Sequence, residues 1–409
     1  MGRRSDRFAK RRAAMVLEHT DARESLERRW YKRLSEDESL ARLVTGADLS
    51  REPYHRWLPY TQGFSPALVR RFIAQAPIDQ RAATAILDPF AGSGTTAIEA
   101  ARAGLAGVGV EALPAVAYLG HVAVSEPAFP ALPDLRGCKT WRDAAPRLTE
   151  PVHRAALMLA VAHRCTRAGR RRADAPPLPQ AFNAVVKMIR EDQRSALAPG
   201  SDVIAGDARS LEAIDDESVG GALTSPPYLS RHDYARITRP MRKVYAAFVE
   251  ADAAADAADE PGADLPADTL EITEESLPAH PGAATDTRGA ASLAAELHAS
   301  VAETYAALLT RNQRSNAALV VDYFAGLREF AQSLARVMRP GAPAWVVIGG
   351  ARVSEIYVPS DLIFADIAAT AGFDVAGVVI ARRLIAVGRK LGMLTDVAPR
   401  ESVVMLRRS

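Results

Sequence analysis

The sequence predicts an α/β fold: a doubly wound, mostly parallel sheet with helices on both faces, interrupted by two insertions. Three observations carry this. The apolar run Ala85-Ile86-Leu87 leads into Asp88-Pro89-Phe90-Ala91-Gly92-Ser93-Gly94-Thr95-Thr96 and then Ala97-Ile98-Glu99-Ala100-Ala101-Arg102, a strand, a glycine turn and a helix N-terminus in that order. Further buried-strand runs stand at 107–110, 202–205, 221–224 and 344–348, with helical stretches between them. Finally, 409 residues with 48% hydrophobic content suffice to bury one large core or two modest ones.

Taken in order, residues 1–50 read as a charged helical arm of one or two helices, with Leu26, Trp30, Leu34, Leu40 and Leu43 at helical spacing. From Tyr54 to about Leu119 the pattern is helix, strand, helix, strand, the second strand ending at Glu111. Residues 121–199 interrupt the sheet with proline-rich loops and two helix candidates, 152–163 and 181–190. The sheet resumes at Asp202 and again at Gly221, and a second interruption, 241–317, is acidic and expected to be partly disordered. An amphipathic helix at 323–338, a strand at 344–348 and closing strands at 373–384 and 402–406 complete the chain. The core is thus expected from 54–120, 200–240 and 318–409.

No apolar run approaches the ~18 residues of a membrane span, and no hydrophobic signal region follows Met1, so a cytoplasmic protein without a membrane partner is expected. Cys138 and Cys165 make no disulfide framework, and no Cys-x-x-Cys or His-x-x-His pair predicts a metal. The net charge of +2 hides segregation. Basic clusters stand at Arg3–Arg12, at Arg164–Arg172 and at Arg231, Arg236, Arg239, Arg242 and Lys243, whereas 244–287 holds eleven acidic residues and no Lys or Arg. Such clusters are either solvated faces or attract a nucleic acid.

Two motifs carry chemistry. The glycines of the turn let backbone approach a ligand where a Cβ would collide, and Thr95 and Thr96 are placed to cap the helix beyond it. Downstream, the strand Gly221-Ala222-Leu223-Thr224 ends in Ser225-Pro226-Pro227-Tyr228, where two prolines remove N–H donors and leave carbonyls and an aromatic ring for an exposed amine. The spacing Gly92-x-Gly94-x-x-Ala97 also meets the dinucleotide fingerprint, but the proline pair has no use in a dehydrogenase.

The pair of motifs resembles the S-adenosylmethionine-dependent amino-methyltransferases of DNA, which modify cytosine N4 or adenine N6. Three more stretches share the likeness: Pro59-Tyr60-Thr61-Gln62-Gly63-Phe64-Ser65-Pro66, Leu334-Ala335-Arg336-Val337-Met338-Arg339-Pro340-Gly341 with Trp345–Gly349, and Arg400–Arg407. The resemblance implies a class I methyltransferase sheet of seven strands, S-adenosyl-L-methionine as methyl donor, and a restriction–modification setting. It implies a cofactor site of Thr61, Phe64, Asp88, Pro89, Phe90, Gly92, Gly94, Thr95, Glu111 and Asp207, with Glu111 on the ribose hydroxyls, Asp88 toward the amino-acid end and Asp207 near the adenine. For Asp88 a helix-capping role, and for Glu111 and Asp207 solvated or turn carboxylates, are the plain alternatives.

It assigns catalysis to Ser225, Pro226, Pro227 and Tyr228. A Ser225 oxygen and the Pro226 carbonyl would accept the two N–H groups of the target amine and free its lone pair, while Tyr228 stacks on a base flipped out of the duplex. Serine at the first position resembles the cytosine-N4 branch. Adenine N6 in DNA, an amine in RNA, and a silent cofactor-binding nucleic-acid module are the alternatives. The surroundings of Cys138 and Cys165 lack the Pro-Cys context of C5-cytosine enzymes. His232, Asp233 and Tyr234 are candidates for the base or backbone, and Arg236 and Arg239 for phosphate. Only about eighteen residues separate Asp207 from Ser225, so target recognition is expected to be shared by the insertion 121–199, the segment 229–317 and the N-terminal arm.

Overall fold

The chain is described by a computed structural model over residues 21–58, 63–78, 84–125, 128–167, 175–229, 234–259, 287–354, 356–383 and 399–409. Its first helix, α1 (Asp21–Trp30), buries Leu26 and Trp30 and then tightens into a single turn before β1 (Leu34–Glu36). Next come α2 (Pro66–Gln75), capped by the Ser65 hydroxyl, and β2 (Ala85–Asp88). The glycine turn then starts α3 (Thr95–Arg102), followed by β3 (Gly107–Glu111) and α4 (Pro114–Ser125). The first insertion supplies α5 (Pro151–Arg167) and α6 (Leu178–Asp192). After β4 (Asp202–Ala205) and β5 (Val219–Thr224) come four helices, α7 (Tyr234–Asp259), α8 (Thr287–Leu297), α9 (Ala299–Thr310) and α10 (Arg314–Val337). The chain closes with β6 (Pro343–Gly349), the hairpin β7 (Ala351–Val353) and β8 (Ile356–Val358), α11 (Ser360–Thr370), β9 (Phe373–Arg383) and β10 (Arg400–Arg408).

The main sheet runs in the order β1-β9-β10-β6-β5-β2-β3-β4, parallel throughout except for β10, which is antiparallel to both neighbours. From β2 the chain winds outward through β3 to β4, then returns to β5 on the other side of β2. The switch point therefore lies between β2 and β5, where a doubly wound sheet opens a crevice at its strand C-termini. Register brings those ends level, with Leu87 opposite Ala222 and Asp88 opposite Gly109.

Alternate residues of each central strand pack on opposite faces. Leu87, Ala222, Val346 and Val404 join Phe324 and Phe330 of α10 and Phe364 of α11. Ile86, Leu223, Val347 and Val403 join Leu68 and Phe72 of α2. The period of two in the sequence is thus the period of the pleat. A third cluster unites α4, α5, α6 and α7, so the first insertion docks on the helix that follows the Ser225 loop.

One expectation is corrected. The sheet has eight strands, not seven: the N-terminal arm, read as helical throughout, contributes β1, which pairs in parallel with residues 378–380 of β9. An otherwise open sheet edge offers pairing that three residues can take without any strand periodicity of their own. The described flanks of the interval 241–317 are helical, in α7 to Asp259 and in α8, α9 and the start of α10, where many alanines favour helix. The expectation of partial disorder falls chiefly on residues 260–286, which lie outside the described residues.

Candidate cofactor and catalytic site

The crevice is built from the turn upward. Gly92 and Gly94 take positive φ values of 52° and 84°, the left-handed region open to glycine at low cost. A Cβ on Gly94 would also come within 3.2 Å of Val203. The turn is sewn to β3, with the Ala91 N–H donating to the Val110 carbonyl at 3.0 Å. Phe90 is held edge-on against Phe330 with centroids 5.0 Å apart.

At the tip of β3, Glu111 faces the turn. One carboxylate oxygen accepts the Gly92 N–H and the other the Leu113 N–H, both at 2.9 Å. Burial pushes its pKa up to about 7, with a small addition from the nearby Asp88, although the two N–H donors pull the other way.

Asp88, at the tip of β2, is 1% exposed and takes its donors from side chains as well as backbone. Thr224 Oγ1 donates at 2.6 Å, Thr96 Oγ1 at 2.9 Å and the Phe90 N–H at 3.1 Å. Burial raises its pKa to about 6 against those three donors. Asp88 thus ties the last residue of β5 to the first turn of α3.

One pocket gathers Phe64, Asp88, Pro89, Phe90, Gly92, Thr95, Glu111, Asp207, Ser225 and Pro227, all sequence candidates. Asp207 forms a two-pronged ion pair with Arg209, whose Nε and Nη2 lie 2.9 and 2.6 Å from its Oδ2. Gly94 shapes the turn without lining the pocket. Pro226 is buried, and Tyr228 turns to donate its hydroxyl to Glu401 at 2.7 Å. Thr61, like Pro59–Gln62 and like Arg231, His232 and Asp233, lies outside the described residues, and so does the side chain of Arg236.

The pocket also includes residues that the motifs did not mark: Ser93, Leu113, Val116, Ala208 and Thr238. Ser93 lies inside the turn and Ala208 beside Asp207, so adjacency was their signal. Leu113 and Val116 form the apolar wall beyond Glu111. Thr238, 4% exposed on α7, comes from past the Ser225 loop and carries no local motif. Among the described lining residues there is no Lys, Arg or His. Among the described residues no cluster of three His, Cys, Asp or Glu is arranged to hold a metal ion, and no helix is long and apolar enough to cross a membrane.

No family model matches the chain. Over 105 residues, 25% of its length, it is 32% identical to Type II methyltransferase M.BsoBI of Geobacillus stearothermophilus, of which that stretch covers 19%. It is also 32% identical over 102 residues to Type II methyltransferase M.AvaI of Nostoc sp. strain PCC 7120, covering 21% of it. The matched stretch therefore spans about a fifth of each relative. Among solved structures, TrmN from Thermus thermophilus aligns with 84% of this chain and 49% of its own, at 12% identity and a TM-score of 0.30. The rRNA methyltransferase aviRa from Streptomyces viridochromogenes aligns with 91% and 94%, at 14% identity and a TM-score of 0.29.

Proposed function

We propose, from a sheet of the class I methyltransferase kind and a partial likeness to type II DNA methyltransferases, that this chain is an S-adenosylmethionine-dependent methyltransferase of DNA exocyclic amines, with cytosine N4 as its target. The observation that carries the reading is the single pocket at the switch point. It joins the glycine turn, the Glu111 carboxylate and the Ser225 loop of a separate strand, and its described lining has three carboxylates, of which Asp207 is paired with Arg209, and no cationic side chain. Carboxylates without a lining cation favour a nucleoside bearing a positive charge over a pyrophosphate, so the lining suits S-adenosylmethionine.

S-adenosylmethionine supplies an electrophilic methyl group on positively charged sulfur. The chain's own residues bind, orient and exclude water. Glu111, which has lone pairs beyond the two its backbone donors occupy, accepts hydroxyl hydrogens of the ribose. Leu113, Val116, Phe90 and Ala208 provide apolar walls for the adenine. Ser225 Oγ and the Pro226 carbonyl accept the two N–H groups of the target amine, which turns its lone pair toward the methyl. The two prolines carry no N–H that would compete for that lone pair.

The base reaches this pocket only after leaving its duplex. A groove lined by Trp141, Arg142, Arg154, Lys243 and Phe248, with Glu250 and with Asp252 paired to Arg154, runs between the first insertion and α7. Its three cationic side chains support the insertion 121–199 as an element that meets the target.

The test incubates the protein with labelled S-adenosylmethionine and either unmethylated DNA or structured RNA, followed by digestion to nucleosides. Label in N4-methylcytosine is expected. Label in N6-methyladenine moves the target within the same chemistry, and label confined to RNA, or in no nucleic acid, overturns the reading. Ser225→Ala should lower single-turnover methylation at least about tenfold while leaving cofactor and DNA affinity nearly unchanged, since its contact acts on the amine as the methyl moves.

A further inference from the structure

Tyr228 is held by one rung of the sheet. Gly349 of β6 and Glu401 of β10 are directly paired across the antiparallel ladder, and Glu401 in turn faces Arg382 of β9. Each of the three has a separate contact. The Tyr228 ring lies over Gly349 so closely that a Cβ there would stand 2.9 Å from two ring carbons. The hydroxyl donates to Glu401 Oε1 at 2.7 Å. The other oxygen of Glu401, a residue only 3% exposed, accepts from Arg382 Nε. The β9–β10 register shifts immediately after Glu401, so the irregularity stands beside this rung.

A buried carboxylate whose two oxygens serve a tyrosine hydroxyl and a guanidinium is a fixed acceptor, because Arg382 orients it and the strand backbone holds its stem. A glycine opposite, with no need for positive φ, is there for the space a ring requires. We infer that Glu401 is the positioning residue of the catalytic loop: through the Tyr228 hydroxyl it sets the plane of the ring on which the target base stacks, with Gly349 as the ring's seat and Arg382 as the carboxylate's orienting partner. This rests on the reading of Tyr228 as the residue that meets the base. Glu401 touches neither cofactor nor base, so its effect is confined to the chemical and base-binding steps and spares cofactor affinity. The rung also accounts for how a loop of two prolines, with few backbone donors of its own, keeps one aromatic orientation next to a pocket.

Three substitutions reach the ring from different sides: Tyr228→Phe removes the hydroxyl, Glu401→Gln weakens the acceptor and its tie to Arg382, and Gly349→Ala intrudes on the seat. Each should lower single-turnover methylation of unmethylated DNA roughly tenfold, the scale of a lost hydrogen bond to a charged group, while S-adenosylmethionine affinity measured by calorimetry changes less than about twofold. The Tyr228→Phe/Glu401→Gln double variant should be no slower than the slower single one, because the two groups act through one contact. A double variant whose loss is the product of the singles would overturn the inference and leave Glu401 a role in β10 alone. A second readout is independent of activity: 3-fluorotyrosine at position 228 should give a fluorine resonance that shifts and sharpens in Glu401→Gln as the ring is freed, and that shifts in Gly349→Ala as the ring is pushed from its seat. If the wild-type protein modifies no DNA but the resonance responds, the functional reading fails and the clamp stands. If the wild-type protein is active and neither rate nor resonance responds, the clamp fails. Gly349→Ala, on the opposite strand, decides the matter if Glu401→Gln does not fold.

Discussion

Asp88 and Glu111 end neighbouring parallel strands, both are carboxylates whose pKa burial raises, and both line one pocket, yet their hydrogen bonds point to different work. Asp88 is satisfied by the Thr224 and Thr96 hydroxyls and one N–H, partners that belong to β5 and α3. Glu111 accepts only backbone N–H groups from the turn and from the residue two beyond it, and turns the rest of its lone pairs to the pocket. The first closes a joint between the glycine turn and β5; the second leaves acceptor lone pairs facing the pocket. Position at a strand tip does not separate these roles, but the identity of the donors does.

The contrast is tested most severely by Asp88→Ala. It leaves the Thr224 hydroxyl and the Phe90 N–H without their acceptor, while Thr96 keeps the Leu223 carbonyl at 3.2 Å, and at about 1–3 kcal/mol for each stranded group the fold should lose roughly 2 kcal/mol or more, read as a lower urea midpoint. Glu111→Ala should act on the ligand. Loss of a charge-assisted acceptor costs ~1.5–3 kcal/mol, a tenfold to hundredfold weaker S-adenosylmethionine affinity by calorimetry. A large stability loss with intact affinity in that variant would erase the distinction. Gly94→Ala, with φ at 84° and Val203 3.2 Å from the new methyl, should cost about 1–2 kcal/mol by thermal or urea unfolding.

The smallest effect is that of pH. With the Glu111 carboxyl raised to about 7, its charged form is lost as pH falls through that value, so cofactor affinity should drop by less than about tenfold between pH 8 and pH 6, and the drop should vanish in Glu111→Gln. Linkage gives the opposite sign for stability. A carboxyl whose folded pKa lies above its ordinary 4.5 favours the fold fully below 4.5, and that contribution is lost as pH rises through about 7. The cofactor-free protein should therefore be more stable near pH 5 than near pH 8 as far as this group decides, which comparing Glu111→Gln with wild type isolates.

Much of the architecture was legible because it rests on local rules. Glycines that must accept positive φ, a proline pair that ends a strand, and apolar alternation fitted to a pleat are written within a few residues of where they act. What was hidden depends on register. Asp88 could be marked as a pocket residue, but its bond to Thr224 joins positions 136 apart and needs β2 and β5 side by side. Thr238 enters the pocket only because α7 folds back over it, and Glu401 meets Tyr228 only through the pairing of β10 with β6. At the edge of the acidic tract, the alanines between the carboxylates carry α7 on to Asp259. In the arm, helical spacing described α1 well and then ran past the turn at Tyr31–Arg33.

The three-residue strand β1 has a consequence of its own for solubility. It occupies the outer margin of β9, an eleven-residue strand, with Leu34 opposite Val378 and Glu36 opposite Ile380, and the Asp37 N–H extends the ladder to the Ile380 carbonyl at 3.0 Å. Glu36 and Arg383 form an ion pair at the same margin. A chain shortened past Asp37 would bare those unpaired amides and carbonyls beside apolar side chains, a template for another molecule's strand. The charged N-terminal segment thus acts as a guard against self-association, and protein trimmed there should aggregate although every group at the cofactor pocket is retained.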